Sequence, residues 1–548
     1  MKIIRVYKCI CFVVVSLLIT SCAIPKALVP NISFLKGAGD SPPITNNQDA
    51  YALDEEKRVL HLYVTVKSGS LFNQDEGDAS ILLQEGNENG PLEGYFGYGL
   101  NEANAKLKIV GQKSNQPHLN SYKITLNDPT QPLHGNIVLN LNKNLTDSTR
   151  LKNKLAFDYY KKINNIVSAR TQFVVLNVKD SDGNQRFIDC GLYTNVEELD
   201  AFYLQNHGLD PEGVLYNVIF FEFKEVADNR GEIGYDKENF ENIIEVRANS
   251  DTDKLFKLLD NMDNKNLSNE GVFSAHFNKE NYLSWLATNI IMGNLDAYAS
   301  NLVIYSPKSS QTWYLLPWDN ATSLGYYKQD DNEGVELPLY RTGISNYWGS
   351  GIHRRFLSIP GSVDRLSEKI EELSAIINPD NTLSMLNEYY SLVGSYIGKS
   401  PQEMDAEFKR IADETQKNIE RYYNSLELIM PAFTIGPLDR DADHGFTCQS
   451  GVSLKGGGVY YDFILGLDPE FNTVLEQIDD SAVNEFFVRR LAPGTYYYKI
   501  ALKNDNGDIQ LSFDRHIEND KVYYGVRQVV IKKKKGINIS VHFDQRLN

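Results

Sequence analysis

Apolar and polar residues alternate along several stretches of the first third of the chain, and this alternation predicts half-buried strands. The last two of these stretches flank an Asp-Ser-Asp-Gly turn at residues 180–183, which predicts a hairpin. In chain order the predicted strands are residues 58–67, 80–83, 105–110, 121–126, 173–178 and 186–196.

A helical spacing of apolar residues takes over in other parts of the chain. Leu151, Leu155, Tyr159 and Ile163 recur at this spacing, and Asp147 or Ser148 is a suitable N-cap for their helix. Residues 313–316 are an apolar run that predicts a buried strand, whereas the polar stretch 228–251 predicts a loop. The predicted helices are residues 147–163, 251–262, 278–292, 362–377, 383–397 and 401–428.

The pattern changes again near residue 431. Short alternating runs separated by Gly, Pro and Asn-Gly turns predict an antiparallel β-sandwich at 431–548, with strands at 459–465, 486–491, 495–502 and 522–531. The predicted fold class is therefore α+β, in which a mixed domain at 51–430 precedes an all-β domain.

The beginning of the chain has the features of an export signal. Lys2, Arg5 and Lys8 precede an apolar run at residues 10–19, too short for an ordinary membrane-spanning helix. The tetrapeptide ending in Cys22 resembles a bacterial lipobox, which implies a lipoprotein signal at 1–21, lipid on Cys22 and an extracytoplasmic location at the cell envelope. An uncleaved anchor helix is the alternative. Residues 22–50 are rich in Pro, Asn, Gly and Ser and predict a flexible tether.

Length and charge narrow the classes of function. The 548 residues exceed one ordinary core, so about two or three domains are expected. A formal net charge of −17 repels phosphate backbones, so no nucleic-acid partner is expected. Beyond the signal and Cys22 only Cys190 and Cys448 remain, which excludes a disulfide framework or a cysteine zinc site. HExxH and GxSxG motifs are absent from the sequence.

Candidate chemistry concentrates between residues 293 and 325. Asp296 lies five residues before Asn301, and Asp319 follows the apolar run at 313–316. Protein kinases use this order, with an Asp near the attacking hydroxyl and an Asn and a second Asp on Mg²⁺. A turn closed by side-chain hydrogen bonds explains Asp296 and Asn301 equally well.

Two further segments have alternative interpretations. The polar loop at 111–115 could cradle phosphates through its backbone N–H groups, with Lys113 or Lys123 supplying charge, or it could be a solvated hairpin turn. Glu197, Glu198 and Asp200 end the predicted hairpin, where an acid could enter a ligand cleft or remain a solvated cap.

Several blocks of the chain resemble the CotH family, the spore-coat protein H type of atypical kinase. DSTRLKNKLAFDYY (residues 147–160) is similar to the family's DxxxLRNKLAYDL helix. FIDCGLYTNVEELD (187–200) is similar to its GxYxxxExxD hairpin. The stretches at 281–305 and 313–325 are similar to its GNxDxxxxN and PWDxDxxxG blocks.

This resemblance implies a two-lobed, protein-kinase-like fold that uses ATP and Mg²⁺ to phosphorylate a protein Ser or Thr. Asp296 would be the catalytic carboxylate, and Asn301 and Asp319 would hold the metal. Lys113, Ser114, Lys123 and Glu197 would contact the nucleotide. The departures are Ala321, where the family has a second Asp, the missing arginines of the loop at 110–115, and Leu119-Asn120 in place of the family's basic pair.

Two functions follow from these observations. The first is an exported, lipid-anchored CotH-type kinase acting on a protein acceptor. The second is a binding protein on the same scaffold whose catalytic power is eroded, acting in adhesion or in protein or glycan recognition. The retained Asp296, Asn301 and Asp319 favour the kinase. Ala321, the depleted basic loop and the scarcity of ATP outside the cytoplasm favour the binding protein.

Overall fold

The computed structural model describes residues 42–45, 47–52, 58–68, 78–111, 114, 116–180, 186–218, 244–264, 266–298, 301–325, 339–440, 443–489, 491–519, 521–531 and 537–538. The predicted signal at 1–21, Cys22 and Lys113 lie outside these residues. Within them, no helix combines the length and the hydrophobicity that a membrane crossing requires.

The N-terminal part is a sheet whose hydrogen bonding closes on itself. The strand order is β1-β7-β8-β6-β5-β4-β2-β3, and β1 also pairs with β2, so every strand except β3 belongs to a closed ring. β1 runs parallel to β7, while the other pairings in the ring are antiparallel. The strands are β1 (Leu60–Ser68), β2 (Ala79–Asn87), β3 (Gly90–Pro91), β4 (Ala105–Val110), β5 (Ser121–Leu126), β6 (Val138–Asn142), β7 (Thr171–Asp180) and β8 (Ile188–Glu197).

Alternating apolar side chains from these strands fill the inside of this closed sheet, which we call the barrel. Leu62, Val64, Leu83, Tyr122 and Leu176 are buried in one cluster. Because successive side chains of a strand point to opposite faces, the same alternation leaves the other face free to contact helices or solvent.

A four-stranded sheet and a group of helices follow the barrel. The sheet has the order β10-β9-β11-β12. The strands are β9 (Val214–Val218), β10 (Ile244–Ala248), β11 (Leu302–Ser306) and β12 (Tyr314–Leu316). The helices are α1 (Gln48–Tyr51), α2 (Lys152–Lys161), α3 (Ala201–Asn206), α4 (Thr252–Asp263), α5 (Asn269–His276), α6 (Lys279–Met292), α7 (Gly343–Trp348), α8 (Gly351–Leu357), α9 (Ser362–Ser374), α10 (Pro379–Ile397) and α11 (Pro401–Leu426), with 3-10 turns at Pro117–Leu119, Asp296–Tyr298 and Leu339–Arg341.

The C-terminal part contains antiparallel sheets that share an aromatic core. Phe446 lies 4.8 Å from Tyr498 and 5.3 Å from Phe463 between ring centroids, and Phe463 stacks on Phe486. The largest sheets have the orders β14-β15-β19 and β18-β17-β20-β24-β25, with β21 paired to β20. The strands are β13 (Ile429–Met430), β14 (Thr434–Arg440), β15 (Asp443–Cys448), β16 (Val452–Ser453), β17 (Tyr460–Gly466), β18 (Val474–Ser481), β19 (Glu485–Arg489), β20 (Gly494–Lys503), β21 (Ile509–Leu511), β22 (Arg515–Glu518), β23 (Lys521–Tyr524), β24 (Val526–Ile531) and β25 (Ile537–Asn538).

The C-terminal strands also contact the helical part directly. Phe513 belongs to the core cluster that α6 and α9 form, and its ring lies 5.3 Å from that of Tyr340. Gln510 donates a hydrogen bond to the hydroxyl of Ser345 in α7 at 3.3 Å. The strands beyond residue 431 therefore pack directly against the helical part.

Three predictions of secondary structure need correction. The helix expected from residue 147 begins at Lys152, although the Asp147 carboxylate still accepts the Lys152 N–H. The expected loop at 228–251 contains β10, and the expected strand at 522–531 divides into β23 and β24 at Gly525, where φ is +73°. The predicted tether at 22–50 lies largely outside the described residues, and Ile44 near its end is buried.

Candidate functional site

A cleft of about 500 Å³ lies between the barrel and the loop that follows β12. The barrel contributes residues of β4, β5 and β6, and the opposite wall contains Trp318, Asp319 and Ala321. Side chains of α2 and β10 close its remaining sides. This cleft therefore combines residues that are distant in the sequence, including Lys123 and Asp319.

The structure brings Asp319 and Asn301 together. The Asn301 amide donates to a carboxylate oxygen of Asp319 at 3.4 Å, and the backbone N–H of Ala321 lies 3.3 Å from the other oxygen. Asp319 remains exposed within the concave site, while the surrounding protein atoms remove part of its hydration and raise its pKa.

Asp296 lies beside this pair, at the start of a 3-10 turn. Its side chain is half-buried. Burial first, and then the negative charge of Asp319, raise its pKa to about 6. The charge of Arg341 and a side-chain hydrogen bond with Thr322 oppose this rise. Asp296 is thus close enough to feel the charge of Asp319, although only Asp319 of the two lines the cleft.

The end of α6 fixes the loop that carries Asp296. Gly293 ends the helix with φ at +64°, a conformation that glycine adopts without a Cβ penalty. A Cβ at this position would lie 2.5 Å from Nδ2 of Asn418, which itself donates to the carbonyl of Ile291. Only glycine therefore fits both the turn and the close approach of α11.

Asn294 connects the two loops of the site. Its amide nitrogen donates to the carbonyl of Asp319 and to the side-chain oxygen of Asn320, each at 3.2 Å. Its side-chain oxygen accepts the hydroxyl of Thr322 at 2.9 Å. The Tyr347 hydroxyl of α7 donates to the Asn294 carbonyl at 2.8 Å. This network holds the Asp296 and Asp319 loops together.

Ion pairs cross the barrel side of the cleft. Lys123 of β5 lies 3.2 Å from the carboxylate of Glu198. Glu198 also binds Arg247 at 2.7 Å and accepts the Asn140 amide at 2.8 Å. The Arg247 guanidinium stacks over the Trp318 ring, with its carbon 4.7 Å from the ring centroid. Both cations that line the cleft are thus already engaged by carboxylates.

Glu197 is not a lining residue of this cleft. Its carboxylate binds Arg170 at 2.6 Å and His207 at 2.8 Å, and the side chain is buried. Burial alone would raise its pKa, but His207 and Arg170 together lower it to about 2. A contact between Glu197 and a nucleotide therefore stays a prediction from the resemblance. Of the two neighbouring acids, Glu198 is the one that lines the cleft.

The predicted phosphate loop is only partly described. Ser114 is not among the cleft-lining residues, and its backbone N–H and carbonyl bond the Asn120 side chain at 2.7 and 2.8 Å. Gly111 does line the cleft, with φ at +72°. Within the described part, the loop thus contributes Gly111 to the cleft, beside Lys123 of the next strand.

The donor chemistry of the site fits a hard divalent cation. Asp296, Asp319 and Asn301 offer carboxylate and amide oxygens, which Mg²⁺ prefers over nitrogen or sulfur. In the described residues, no group of three or more His, Cys, Asp or Glu forms a metal-binding cluster. The acidic set is therefore small, and Ala321 removes the further carboxylate that the CotH pattern would supply.

Two residues of the cleft, Arg247 and Trp318, are not among the site residues predicted from the sequence. Arg247 lies in the stretch predicted as a loop, and Trp318 belongs to the motif that carries Asp319. Their common signal is weak: the alternating Ile-Glu-Val-Arg-Ala of residues 244–248 predicts a strand, and an aromatic residue directly precedes Asp319.

Comparisons with known proteins identify the family of the chain. The inner spore coat protein H of Bacillus subtilis (strain 168) is 23% identical over 217 residues, which cover 37% of this chain and 54% of that protein. The chain thus spans about half the length of the curated relative it matches. The family model described as CotH kinase protein matches residues 107–429, which include the cleft-lining strands β5 and β6 and the Asp296 and Asp319 loops. This chain therefore belongs to the CotH kinase protein family.

Proposed function

We propose that this chain is an atypical kinase that transfers phosphate from ATP to a Ser or Thr of a protein acceptor, with Mg²⁺. One observation carries the proposal: Asp319, bonded to Asn301, faces the same cleft as the Lys123–Glu198 pair. Protein kinases likewise combine a Lys–Glu ion pair with metal-binding Asp and Asn residues.

In this proposal Asp296 accepts the proton of the acceptor hydroxyl. A pKa of about 6 suits this role, because a proton acceptor works best when its pKa approaches the operating pH. Asn301 and Asp319 would hold Mg²⁺, which neutralises charge on the phosphates when bound. Lys123 would contact the phosphates while Glu198 orients its ammonium group.

The finer architecture and location are also proposals. The barrel would correspond to the N-terminal lobe of a kinase, and α4 to α11 with the four-stranded sheet would form the C-terminal lobe. The strands beyond residue 431 would form a β-sandwich. Lipid on Cys22 would anchor the enzyme outside the cytoplasm, at the bacterial cell envelope.

Calorimetry tests the nucleotide site. We expect the purified chain to bind MgATP, and Asp319→Ala to weaken this binding at least roughly tenfold because it removes a metal ligand. Asp413→Ala is the matched control, since Asp413 is exposed on α11 and is not a lining residue of the cleft. Absence of binding by the unmodified chain at millimolar MgATP would exclude the kinase function.

Phosphoryl transfer needs a separate measurement. We expect radiolabelled autophosphorylation that Asp296→Asn reduces at least about a hundredfold, because the amide keeps the shape but cannot accept the proton. MgATP binding should survive in this variant. Equal labelling of the variant and the unmodified chain would remove Asp296 from the chemistry.

A non-catalytic binding protein on the same scaffold is the second candidate. Two observations favour this candidate: Lys123 and Arg247 already form ion pairs with carboxylates, and position 321 is Ala. A negatively charged triphosphate would therefore enter a cleft that is rich in carboxylates. This candidate would act in adhesion or in protein or glycan recognition. It is supported if titration with MgATP shows no binding heat while the chain remains folded.

A further inference from the structure

A second cavity, of about 570 Å³, adjoins the candidate nucleotide cleft. Leu119 and Leu145 line both, so the two spaces share a wall. The second cavity lies where the end of β6 and the start of β8 meet the C-terminal end of α10. We call it the basic cavity, because four basic residues and one acid line it: Lys143, Arg150, Lys399, His118 and Asp189.

Lys143 is a buried cation at this cavity, with 8% of its surface exposed. Its ammonium donates to the carbonyls of Cys190 and Leu192 and lies 4.2 Å from the centroid of the Tyr193 ring. A Cβ at Gly191 would come within 3.3 Å of the Lys143 Nζ, so the missing side chain leaves space over the ammonium.

Arg150 is the second fixed cation. It has φ at +64°, and its guanidinium donates to the carbonyls of Lys143 and Asn144. Within the described part of the chain, neither Lys143 nor Arg150 forms an ion pair with a carboxylate. Asp189 is engaged by the backbone N–H of Gly191 at 2.6 Å.

Burying cations is costly unless other groups compensate their charge. Burial, and then the charge of Arg150, lower the pKa of Lys143 to about 8, and the negative charge of Asp189 opposes this shift only in part. Burial likewise lowers the pKa of Arg150, against the charge of Asp147. An anion in the cavity would raise the pKa of Lys143 again and would accept charge-assisted hydrogen bonds. In a chain of net charge −17, such a concentration of cations is a local exception.

We propose that the basic cavity binds a phosphate group, presented as phosphoserine on an acceptor chain. A phosphoserine carries nearly two negative charges and three acceptor oxygens, which match several cations better than one carboxylate does. Because the two cavities share a wall, an acceptor chain with its phosphoserine in the basic cavity would have its next hydroxyl close by in the cleft. The acceptor as the source of phosphate rests on the proposed kinase function, whereas the anion site does not.

Titration calorimetry on the full chain tests the site with three probes: inorganic phosphate, an acetylated and amidated Gly-Ala-phosphoserine-Ala-Gly peptide, and the same peptide with serine. We expect saturable binding of the two phosphate-bearing probes and none of the serine peptide. The double variant His118→Gln, Lys399→Gln should weaken both about tenfold, through lost charge-assisted hydrogen bonds. Both residues are exposed at the rim, so the fold should survive.

Two further variants make the result specific. Lys106→Gln, an exposed barrel lysine that lines neither cavity, should bind phosphate like the unmodified chain. Lys123→Met should lose MgATP affinity and keep phosphoserine binding. If the phosphoserine peptide binds while MgATP does not, the proposed kinase function fails and the anion site stands.

Several results would overturn the proposal. The first is that neither phosphate-bearing probe binds at a concentration of about 20 mM. The second is that the serine and phosphoserine peptides bind equally. The third is that the rim double variant binds phosphate with unchanged affinity. Binding of inorganic phosphate without the phosphopeptide would also overturn it, because the site would then serve a free ion.

Discussion

Two residues of the candidate site have backbone conformations that side chains other than glycine rarely adopt. Asn301 has φ at +57° and Asp319 at +40°. Asn and Asp tolerate this region best, yet each such residue costs of order 1 kcal/mol and persists only where its surroundings fix it. The Asn294 network provides that constraint around Asp319. The residue types at the site were readable from the sequence, whereas their conformations depend on contacts from remote segments.

The neighbouring acids Glu197 and Glu198 show the same limit. Successive side chains at the end of β8 point to opposite faces. Glu197 enters a buried cluster with Arg170 and His207, and Glu198 faces the cleft. The resemblance names Glu197 as the nucleotide contact, whereas the burial and the partners of each side chain, which the sequence does not contain, show that Glu198 is the one in the cleft lining.

Glu197 makes stability sensitive to acid. Its pKa is about 2 in the folded chain against 4.5 ordinarily, so its stabilisation is complete above pH 4.5 and is lost as the pH falls towards 2. We expect Glu197→Gln to lower the free energy of unfolding at pH 7 by about 3 kcal/mol. The difference from the unmodified chain should shrink below pH 4.5.

Urea denaturation at pH 7 and pH 3 measures this effect. Glu93→Gln, at an exposed position, is the control and should change stability little. A Glu197→Gln deficit that is equal at both pH values would show that the carboxylate charge is not the cause.

At the scale of elements, local patterns predicted most segments. β4 and β5 occupy the predicted residues 105–110 and 121–126, and α6 starts one residue after the predicted position. The failures have identifiable causes. β10 is short and sits in a polar stretch, and Gly525 breaks an otherwise continuous strand pattern by its positive φ. Pairing partners, which the local pattern does not contain, decided both outcomes.

The C-terminal end of α6 allows a matched comparison of two glycines. Gly293 and Gly398 both end helices with positive φ, but a Cβ at Gly398 would contact nothing within 4 Å. We expect Gly398→Ala to destabilise the chain by about 1 kcal/mol through backbone strain alone. Gly293→Ala should lower the free energy of unfolding by at least about 1 kcal/mol more than Gly398→Ala does, because the new Cβ would displace Asn418.

Thermal unfolding and MgATP calorimetry distinguish these variants. Gly293→Ala should also weaken MgATP binding, since α6 leads directly into the Asp296 loop, whereas Gly398→Ala should not. Equal effects of the two substitutions would mean that the contact with α11 is not important at this helix end.

On the scale of the whole molecule, the C-terminal strands support the part that carries the site. Phe513 is buried among residues of the helical core, and Gln510 bonds α7, whose Tyr347 holds Asn294. The C-terminal part is thus connected to the candidate site by packing and hydrogen bonds.

Phe513→Ala tests this connection. We expect a loss of about 3–4 kcal/mol in the free energy of unfolding, because the substitution leaves a cavity between the two parts. Ile517→Ala is the control, as Ile517 is 53% exposed. A single cooperative transition at lower temperature would support a shared core. Two separate transitions already present in the unmodified chain would contradict it.

The sequence by itself determined the mixed class of the fold, the order of most strands and helices, and the residue types of the candidate site, because these depend on local periodicity and on motifs of nearby residues. The tertiary structure decided the closure of the barrel through the β1–β2 pairing, the position of Glu198 rather than Glu197 in the cleft lining, and the joining of the C-terminal strands to the helical core. Each of these depends on contacts between residues far apart in the chain, whose energies no local pattern records.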